Sequence, residues 1–227
     1  MKTTAFVPVR GGSKSISLKN IKSLCGKPLL YWSLYALEKT DDVDEIIVAT
    51  DHNEIEQAAL SFDFKKVKIY RRLSENASDT ATTESVMLEY IEQSNLNAED
   101  IFMLVQATSP LTKSDHISEA LKLYSQNNYD SLLTCVRNYR FFWNENGTSQ
   151  NYNYKQRPRR QNFAGQLMEN GAFYINLVGN IKESKNRLSG KIGIYEMPEY
   201  TSIEIDEPDD WIILENLMRR YGCINDS

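Results

Sequence analysis

The chain has 227 residues, 41% hydrophobic and 25% charged, a composition typical of an ordinary globular protein with one large domain. A chain of this size buries about 70% of its unfolded surface, so it needs neither disulfides nor a structural metal. Its three cysteines, Cys25, Cys135 and Cys223, match neither a zinc site nor a disulfide framework. A net charge of −5 argues against a nucleic-acid binder, and no apolar run reaches membrane-spanning length. Because no segment resembles a secretion signal, we expect a cytoplasmic protein without membrane or nucleic-acid partners.

Strand-like apolar runs alternate with helical patterns through the first part of the chain. The predicted strands are Thr4–Val9, Glu45–Thr50, Val67–Tyr70, Ile101–Gln106 and Ser131–Val136. The predicted helices are Leu29–Lys39, Asn53–Phe62, Thr83–Ser94 and Asp115–Gln126. This alternation with short connections predicts an α/β fold, in which a mostly parallel, Rossmann-like sheet is sandwiched by helices.

The alternation stops after Val136. Residues 137–170 are rich in Arg, Asn, Gln and aromatic residues and contain no convincing helix. We therefore predict a single domain, 1–227, from which residues 137–165 project as a small arm or subdomain. Three further elements are predicted, the strands Gly171–Asn176 and Ile192–Met197 and the amphipathic helix Pro208–Tyr221.

The segment after the first predicted strand combines glycines with cations. Gly11 and Gly12 lie between Arg10 and Lys14, and Lys19 follows shortly afterwards. Glycine lets backbone N–H groups approach an anion closely, and Arg and Lys neutralise its charge. Ligands of parallel α/β sheets bind at the carboxyl ends of the strands, so this position favours phosphate binding. Neither the P-loop nor the dinucleotide glycine pattern is present, and a flexible basic surface turn is the alternative.

Pro8–Asn20 resembles the first signature of the acylneuraminate cytidylyltransferase family, the CMP-sialic acid synthetases. Further matching blocks follow in the family's order: Arg72 with Ala77–Thr83, then Gln106–Leu111, Pro158–Gln161 and Glu169–Tyr174. The last two are similar to blocks of the animal-type members. Each of the last four blocks also has a simpler interpretation when taken alone. In chain order, these are a helix cap, a strand-ending turn, a solvated charge run and a turn dipeptide. Five blocks in order, covering nearly the whole chain, make the resemblance specific.

The resemblance implies a nucleotide-diphospho-sugar transferase fold and a cytidylyltransferase activity. CMP would pass from CTP to the anomeric hydroxyl of a nonulosonic acid, N-acetylneuraminate or KDN, with release of pyrophosphate. The resemblance also implies Mg²⁺ as the cofactor. Family members are homodimers in which an arm of one protomer covers the site of the other, so we expect a homodimer, with a tetramer as a further possibility.

Roles for individual residues follow from the same resemblance. Catalysis is implied for Arg10, Lys14, Lys19 and Asp206. Nucleotide binding is implied for Arg10, Gly11, Gly12, Ser13, Asn20, Arg72, Thr82 and Thr83. Sugar binding is implied for Gln106, Thr108, Ser109, Arg160, Gln161, Asn170 and Phe173.

Glu204 and Asp206 form a candidate metal site. In an extended segment, acids at i and i+2 lie on the same face. Mg²⁺ prefers carboxylate oxygens and shares its shell with substrate phosphates and water. In the family both positions are aspartate and hold the catalytic Mg²⁺, whereas this chain has the longer Glu204 at the first. The alternative is that Glu204–Asp210 is only an acidic helix entrance.

Two departures from the family pattern keep other functions open. Ser15 stands where the family usually has glycine, and Glu204 stands where it has aspartate. The alternatives are a cytidylyltransferase for legionaminate, pseudaminate or KDO, a transferase for another base, and a non-catalytic sugar-nucleotide binding relative. His52 and His116 share no motif, and we expect each of them at a solvated helix start.

Overall fold

The computed structural model describes residues 1–12, 16–76 and 81–221. Within these ranges the main sheet has seven strands. They are β1 Thr3–Pro8, β4 Glu45–Thr50, β5 Val67–Arg71, β6 Ile101–Val105, β7 Ser131–Asn138, β8 Gln166–Leu177 and β9 Ile192–Met197. A separate hairpin consists of β2 Ser23–Leu24 and β3 Lys27–Pro28. The helices are α1 Leu29–Glu38, α2 Asn53–Ser61, α3 Thr83–Gln93, α4 Ser114–Gln126, α5 Val178–Ser184 and α6 Pro208–Tyr221.

The main sheet has the strand order β5-β4-β1-β6-β8-β7-β9. Strands β5, β4, β1 and β6 are parallel to one another, so their carboxyl ends meet at one edge. Strand β8 is antiparallel to both of its neighbours, β6 and β7, and β9 is parallel to β7. The predicted α/β class with a mostly parallel sheet is therefore confirmed.

Apolar side chains on both faces of the sheet explain why helices cover both sides. Along β1, Ala5 and Val7 face a core that also contains residues of α1, α2 and α4. Phe6 points to the opposite face and packs with residues of α3 and α5. Because successive strand residues face opposite sides, continuous burial of β1 requires a helical layer on each side. A third cluster joins the β2–β3 hairpin to α1 and α6 through Leu24, Trp32 and Trp211.

Most predicted boundaries agree with the structure within two residues, and β4, β9 and α6 agree at both ends. Three parts of the prediction were incomplete: strand β8, helix α5 and the short β2–β3 hairpin, which was not predicted. Strand β8 begins at Gln166 rather than Gly171, because its first residues pair with the end of β7, a long-range contact that the local pattern does not reveal. Helix α5 was not predicted, since it is short and contains the weak helix formers Gly179 and Asn180.

Residues 137–165, which we call the arm, begin at the end of β7 and lead to β8. The described arm contains no α-helix, only the 3₁₀ turns Tyr154–Gln156 and Arg160–Asn162. Its aromatic residues pack on one another, with the rings of Phe141 and Tyr152 stacked at 4.1 Å. Trp143 nevertheless remains 50% exposed. Among the helices in the described part of the chain, none has the length and apolar character needed to cross a membrane.

Candidate functional site

A cleft of about 320 Å³ opens at the carboxyl edge of the parallel strands. It is lined by Pro8, Arg10, Arg72, Ala81, Thr82, Thr83, Val86 and Gln106. Five of these residues were predicted as site residues from the sequence: Arg10, Arg72, Thr82, Thr83 and Gln106. Each follows the end of a parallel strand or begins the helix beside it, and so separate sequence blocks meet at one place.

Two guanidinium groups, those of Arg10 and Arg72, give the cleft its positive charge. Arg72 is held by the backbone of β4, because its N–H donates to Thr50 O at 3.2 Å and its Nε donates to Ala49 O at 3.0 Å. Burial is the main cause that lowers the pKa of Arg72, and the nearby charge of Arg10 lowers it further. The negative charges of Asp51 and Glu89 act in the opposite direction and raise the pKa of Arg72. Two like charges held side by side favour an anionic ligand.

The helix α3 points its N-terminus at the cleft. Thr82 is its N-cap, and the Thr82 Oγ1 accepts a hydrogen bond from Ser85 N at 3.1 Å. The helix-cap interpretation of this block is therefore correct, and Thr82 also lines the cleft. The positive end of the helix dipole adds to the attraction for an anion.

The turn after β1 is shaped by the residues that follow β4. Gly11 N donates to Asp51 Oδ1 at 3.0 Å, so a protein carboxylate already uses this N–H. A Cβ built on Gly11 would lie 2.5 Å from His52 Cδ2, which explains the need for glycine here. His52 caps α2, since its Nδ1 accepts from Glu54 N at 3.3 Å. The predicted helix start is correct, but no local sequence signal indicates this contact with the turn.

Other predicted parts of the first block are placed differently. Gly12 is exposed at the surface of the turn. Ser13, Lys14 and Ser15 lie outside the described residues, so their predicted roles stay predictions. His116, expected at a solvated helix start, lies in the first turn of α4 but is only 7% exposed.

Lys19 and Asn20 connect the cleft to the late acidic segment. Asn20 Nδ2 donates to Arg10 O at 3.3 Å. Lys19 Nζ donates to Ile205 O at 2.6 Å and lies 3.4 Å from Asp206 Oδ1. The side chains of Lys19 and Asn20 are buried, whereas the Asp206 side chain is 73% exposed. The structure therefore brings four predicted residues together, with Asp206 facing solvent beside a fixed ammonium group.

Glu204 occupies a partly buried position near Asp206. Burial raises the pKa of Glu204 to about 7, the negative charge of Asp206 adds to this shift, and Lys19 opposes it. No group of three or more His, Cys, Asp and Glu side chains within the described ranges suits a metal ion. Glu204 and Asp206 instead form a two-carboxylate set whose mutual repulsion a divalent cation would relieve.

An irregularity in β8 creates the surface against which Glu204 packs. Leu133 of β7 pairs with Tyr174 and Cys135 pairs with Glu169, so two steps along β7 correspond to five along β8. Within this bulge Gly171 has φ +63°, and a Cβ there would lie 2.6 Å from Glu204 Oε1. Bulges of this kind often redirect side chains beside functional sites.

The loop after β6 forms the inner end of the site. Gln106 N donates to Ala172 O at 3.0 Å, which ties the loop to the bulge. Thr108 O accepts from Ile205 N at 3.0 Å, so Thr108 lies directly behind the acidic segment. The Ser109 side chain is buried, and within the described residues its Oγ has no hydrogen-bond partner.

The remaining predicted sugar-binding residues do not reach the cleft of their own chain. Asn170 is 1% exposed, and its Nδ2 donates to Thr201 O at 3.3 Å. Phe173 is fully buried in the core. Arg160 lies on the arm, 3.3 Å from the carboxylate of Glu199, and Gln161 beside it is exposed. The sugar-binding roles of all four stay predictions without support from their placement.

Comparison with known proteins agrees with the motif blocks. Residues 4–213 match the family model described as cytidylyltransferase. The chain belongs to the cytidylyltransferase family. It is 39% identical over 226 residues to N-acylneuraminate cytidylyltransferase B of Danio rerio, an alignment that covers 96% of this chain and 52% of that protein. The resemblance predicted from the motifs is confirmed, while the chain spans about half the length of the fish relatives it matches.

Two further similarities extend this result. A pseudaminic acid cytidylyltransferase of Campylobacter jejuni is 28% identical, with 92% of this chain and 93% of that protein covered. The structure of CMP:2-keto-3-deoxy-manno-octonic acid synthetase complexed with CTP superposes with a TM-score of 0.72 at 17% identity. That match covers 97% of this chain and 99% of the other, and at this identity it establishes the fold alone.

Proposed function

We propose that the protein is a CMP-sialic acid synthetase, which transfers CMP from CTP to N-acetylneuraminate or KDN and releases pyrophosphate. The observation that carries this proposal is the cationic cleft of Arg10 and Arg72, capped by the N-terminus of α3 and joined through Lys19 to two carboxylates. The names of the fish relatives support the same activity.

In the proposed reaction, the anomeric oxygen of the sugar bonds to the α-phosphorus of CTP. The bond between this phosphorus and the oxygen bridging to the β-phosphate breaks, and the hydroxyl proton is released. Such chemistry depends mainly on positioning and charge neutralisation. Arg10 and Lys14 would neutralise the triphosphate, and Arg72, Thr82 and Thr83 would contact the nucleoside.

Mg²⁺ is the proposed cofactor, held by Asp206 and Glu204. When bound, it would act as a Lewis acid that shields phosphate charge and lowers the pKa of the attacking hydroxyl. Two carboxylates fit this role, because Mg²⁺ takes few protein ligands and completes its shell with phosphate oxygens and water. Lys19 Nζ, 3.4 Å from Asp206 Oδ1, would hold Asp206 in place.

We further infer a cytoplasmic homodimer in which the arm reaches the cleft of the second protomer. Three properties of the arm support this. It carries six cationic residues and one acidic residue in a chain of net charge −5. It exposes Trp143 and Tyr154, and its Arg160 contacts Glu199 and Tyr139 rather than the cleft of its own chain. An electropositive, aromatic surface of this kind suits an interface with an anionic site.

The test is pyrophosphate release with CTP and Mg²⁺, comparing N-acetylneuraminate, KDN, legionaminate, pseudaminate and KDO. We expect release with N-acetylneuraminate or KDN, lost on chelation with EDTA and not supported by UTP. Silence with every sugar, although CTP binds, would favour a non-catalytic sugar-nucleotide binding protein.

A second candidate is a cytidylyltransferase for pseudaminic acid. The Campylobacter jejuni relative favours it, because the chain covers nearly the whole of that protein. Release of pyrophosphate with pseudaminate, and not with the two sialic acids, would assign the chain to this alternative.

A further inference from the structure

A buried carboxylate, that of Glu89 in α3, lies behind the wall of the cleft. The side chain is only 8% exposed and accepts three hydrogen bonds. The donors are Tyr70 OH at 2.6 Å, Leu73 N at 2.8 Å and Asn76 Nδ2 at 2.5 Å. Burying a charge is costly unless it is fully hydrogen-bonded, so these contacts hold their partners firmly.

All three donors belong to one short segment, Tyr70–Asn76. This segment leaves β5 at the carboxyl edge of the sheet and contains Arg72, which lines the cleft. Thr82 and Thr83 line the cleft from the start of α3, the same helix that carries Glu89. The hydrogen bonds of Glu89 therefore connect the two walls of the cleft, helix α3 and the segment Tyr70–Asn76.

The charge of Glu89 matters as well as its hydrogen bonds. Arg72 is largely desolvated and lies near the like charge of Arg10, and both conditions disfavour its cationic form. Glu89 and Asp51 supply the opposing negative charge from the protein side. The Nε of Arg72 donates to a backbone carbonyl, Ala49 O, so Glu89 acts on this guanidinium through the surrounding field.

We propose that Glu89 is a positioning residue for the nucleotide: it fixes the segment Tyr70–Asn76 and balances the charge of Arg72, so that the guanidinium is presented to CTP. The inference rests on the proposed function, because it assumes that the ligand of the cleft is CTP. It predicts that loss of the Glu89 charge weakens nucleotide binding and leaves the chemical step and sugar binding in place.

The experiment compares Glu89→Gln with a matched buried control, Glu45→Gln. Glu45 is 5% exposed and bonds Thr4, Lys2 and Lys68, but it begins β4 and so lies at the opposite edge of the sheet. The exposed Glu92→Gln, one turn further along α3, controls for net charge. The measurements are KM for CTP, KM for the sugar, kcat, CTP affinity by calorimetry without sugar, and the melting temperature.

We expect Glu89→Gln to raise KM for CTP and the calorimetric Kd about tenfold, with kcat and the sugar KM within about twofold of wild type. Glu45→Gln is expected to lower the melting temperature without changing KM for CTP. An equal loss of stability in both variants with unchanged CTP affinity would overturn the inference and make Glu89 a purely structural residue.

Two further variants keep the inference testable if Glu89→Gln does not fold. Tyr70→Phe and Asn76→Ala each remove one hydrogen bond to Glu89, and each is expected to raise KM for CTP about threefold. Unchanged KM in both would also contradict the inference. A wild-type protein that does not bind CTP would instead refute the proposed function, so the two failures are distinguishable.

Discussion

The cleft and the arm hold their functional side chains in opposite ways. In the cleft, Arg72, Lys19 and Asn20 are buried or half-buried and donate to backbone carbonyls of Ala49, Ile205 and Arg10. On the arm, by contrast, Arg160 makes an exposed ion pair with Glu199. Exposed pairs contribute about 0–1 kcal/mol, so they do little to fix a side chain.

Side chains of the cleft are therefore already held in one orientation before a ligand binds. Exposed side chains of the arm would become ordered only on contact with a ligand or another protomer. The cleft is preorganised by the sheet, so its side chains lose little freedom when a ligand binds. The aromatic side chains of the arm are positioned mainly by one another. Substitutions in the cleft should therefore act within one chain, whereas substitutions of exposed side chains of the arm should act on a partner. The three predictions below test this contrast, from the largest effect to the smallest.

The largest effect is expected for Asp206→Ala. Removal of the exposed carboxylate of the proposed Mg²⁺ site should lower kcat about 100- to 1000-fold, a magnitude typical of a lost transition-state contact. Because Asp206 is exposed, circular dichroism should show an unchanged fold. Asp209→Ala, an exposed acid in the first turn of α6, is the control and should keep its activity. Full activity of Asp206→Ala would rule out the metal assignment.

A subunit-mixing experiment tests the arm. Arg160→Ala should raise KM for the sugar about 30-fold, since the charge-assisted bond to the sugar carboxylate that the family resemblance implies would be lost. When Arg160→Ala and Asp206→Ala chains are unfolded and refolded together, mixed dimers regain one intact site. Activity should return to about a quarter of wild type in a statistical mixture. Arg140→Ala, also an exposed cation of the arm, is the control.

The contrary result is that each variant alone loses activity as expected but the refolded mixture regains none. Arg160 would then act on its own chain or not at all. A monomeric protein with full activity would contradict the arm proposal more directly.

The smallest effect is a pH dependence of stability. The pKa of Glu204 is raised from 4.5 to about 7 in the folded state, so the folded protein binds this proton more tightly than the unfolded chain. Its contribution to stability is present below pH 4.5 and is lost as pH rises through 7. If Mg²⁺ binds the ionised pair, as proposed, it should raise the melting temperature more at pH 8 than at pH 5.5, by about 2–4 °C.

The variant Glu204→Gln should remove both the pH dependence and the difference in the Mg²⁺ response. An Mg²⁺ shift of the same size at both pH values would contradict the assignment of Glu204.

Local sequence patterns were sufficient for elements whose own residues determine them. Strand β4 and helix α6 were predicted at both ends, because the centre of one is the apolar run Ile46–Ala49 and the other begins with proline. The first half of β8 was not predicted, because it exists through its pairing with β7. The insertion of β8 between β6 and β7 likewise depends on long-range contacts.

The same distinction applies to the site. Motif resemblance located Arg10, Arg72 and Gln106, which line the cleft together. It could not distinguish a ligand contact from a structural role, since Phe173 lies in a motif block and is fully buried. Glu89 has no sequence signal, because an acid within an amphipathic helix normally faces solvent and its partners lie on a different element.

The bulge in β8 has a consequence for how proteins of this architecture can diversify. Before the bulge, residues 166–169 pair with the end of β7. After it, Phe173–Leu177 pair with β6, and Tyr174–Asn176 also pair with the start of β7 in a different register. We therefore expect the bulge to absorb a change in length upstream of Glu169, so that Phe173–Leu177 keep their register against β6. If the arm contributes to sugar binding, as proposed, its sequence could change without altering the strands that carry the cleft.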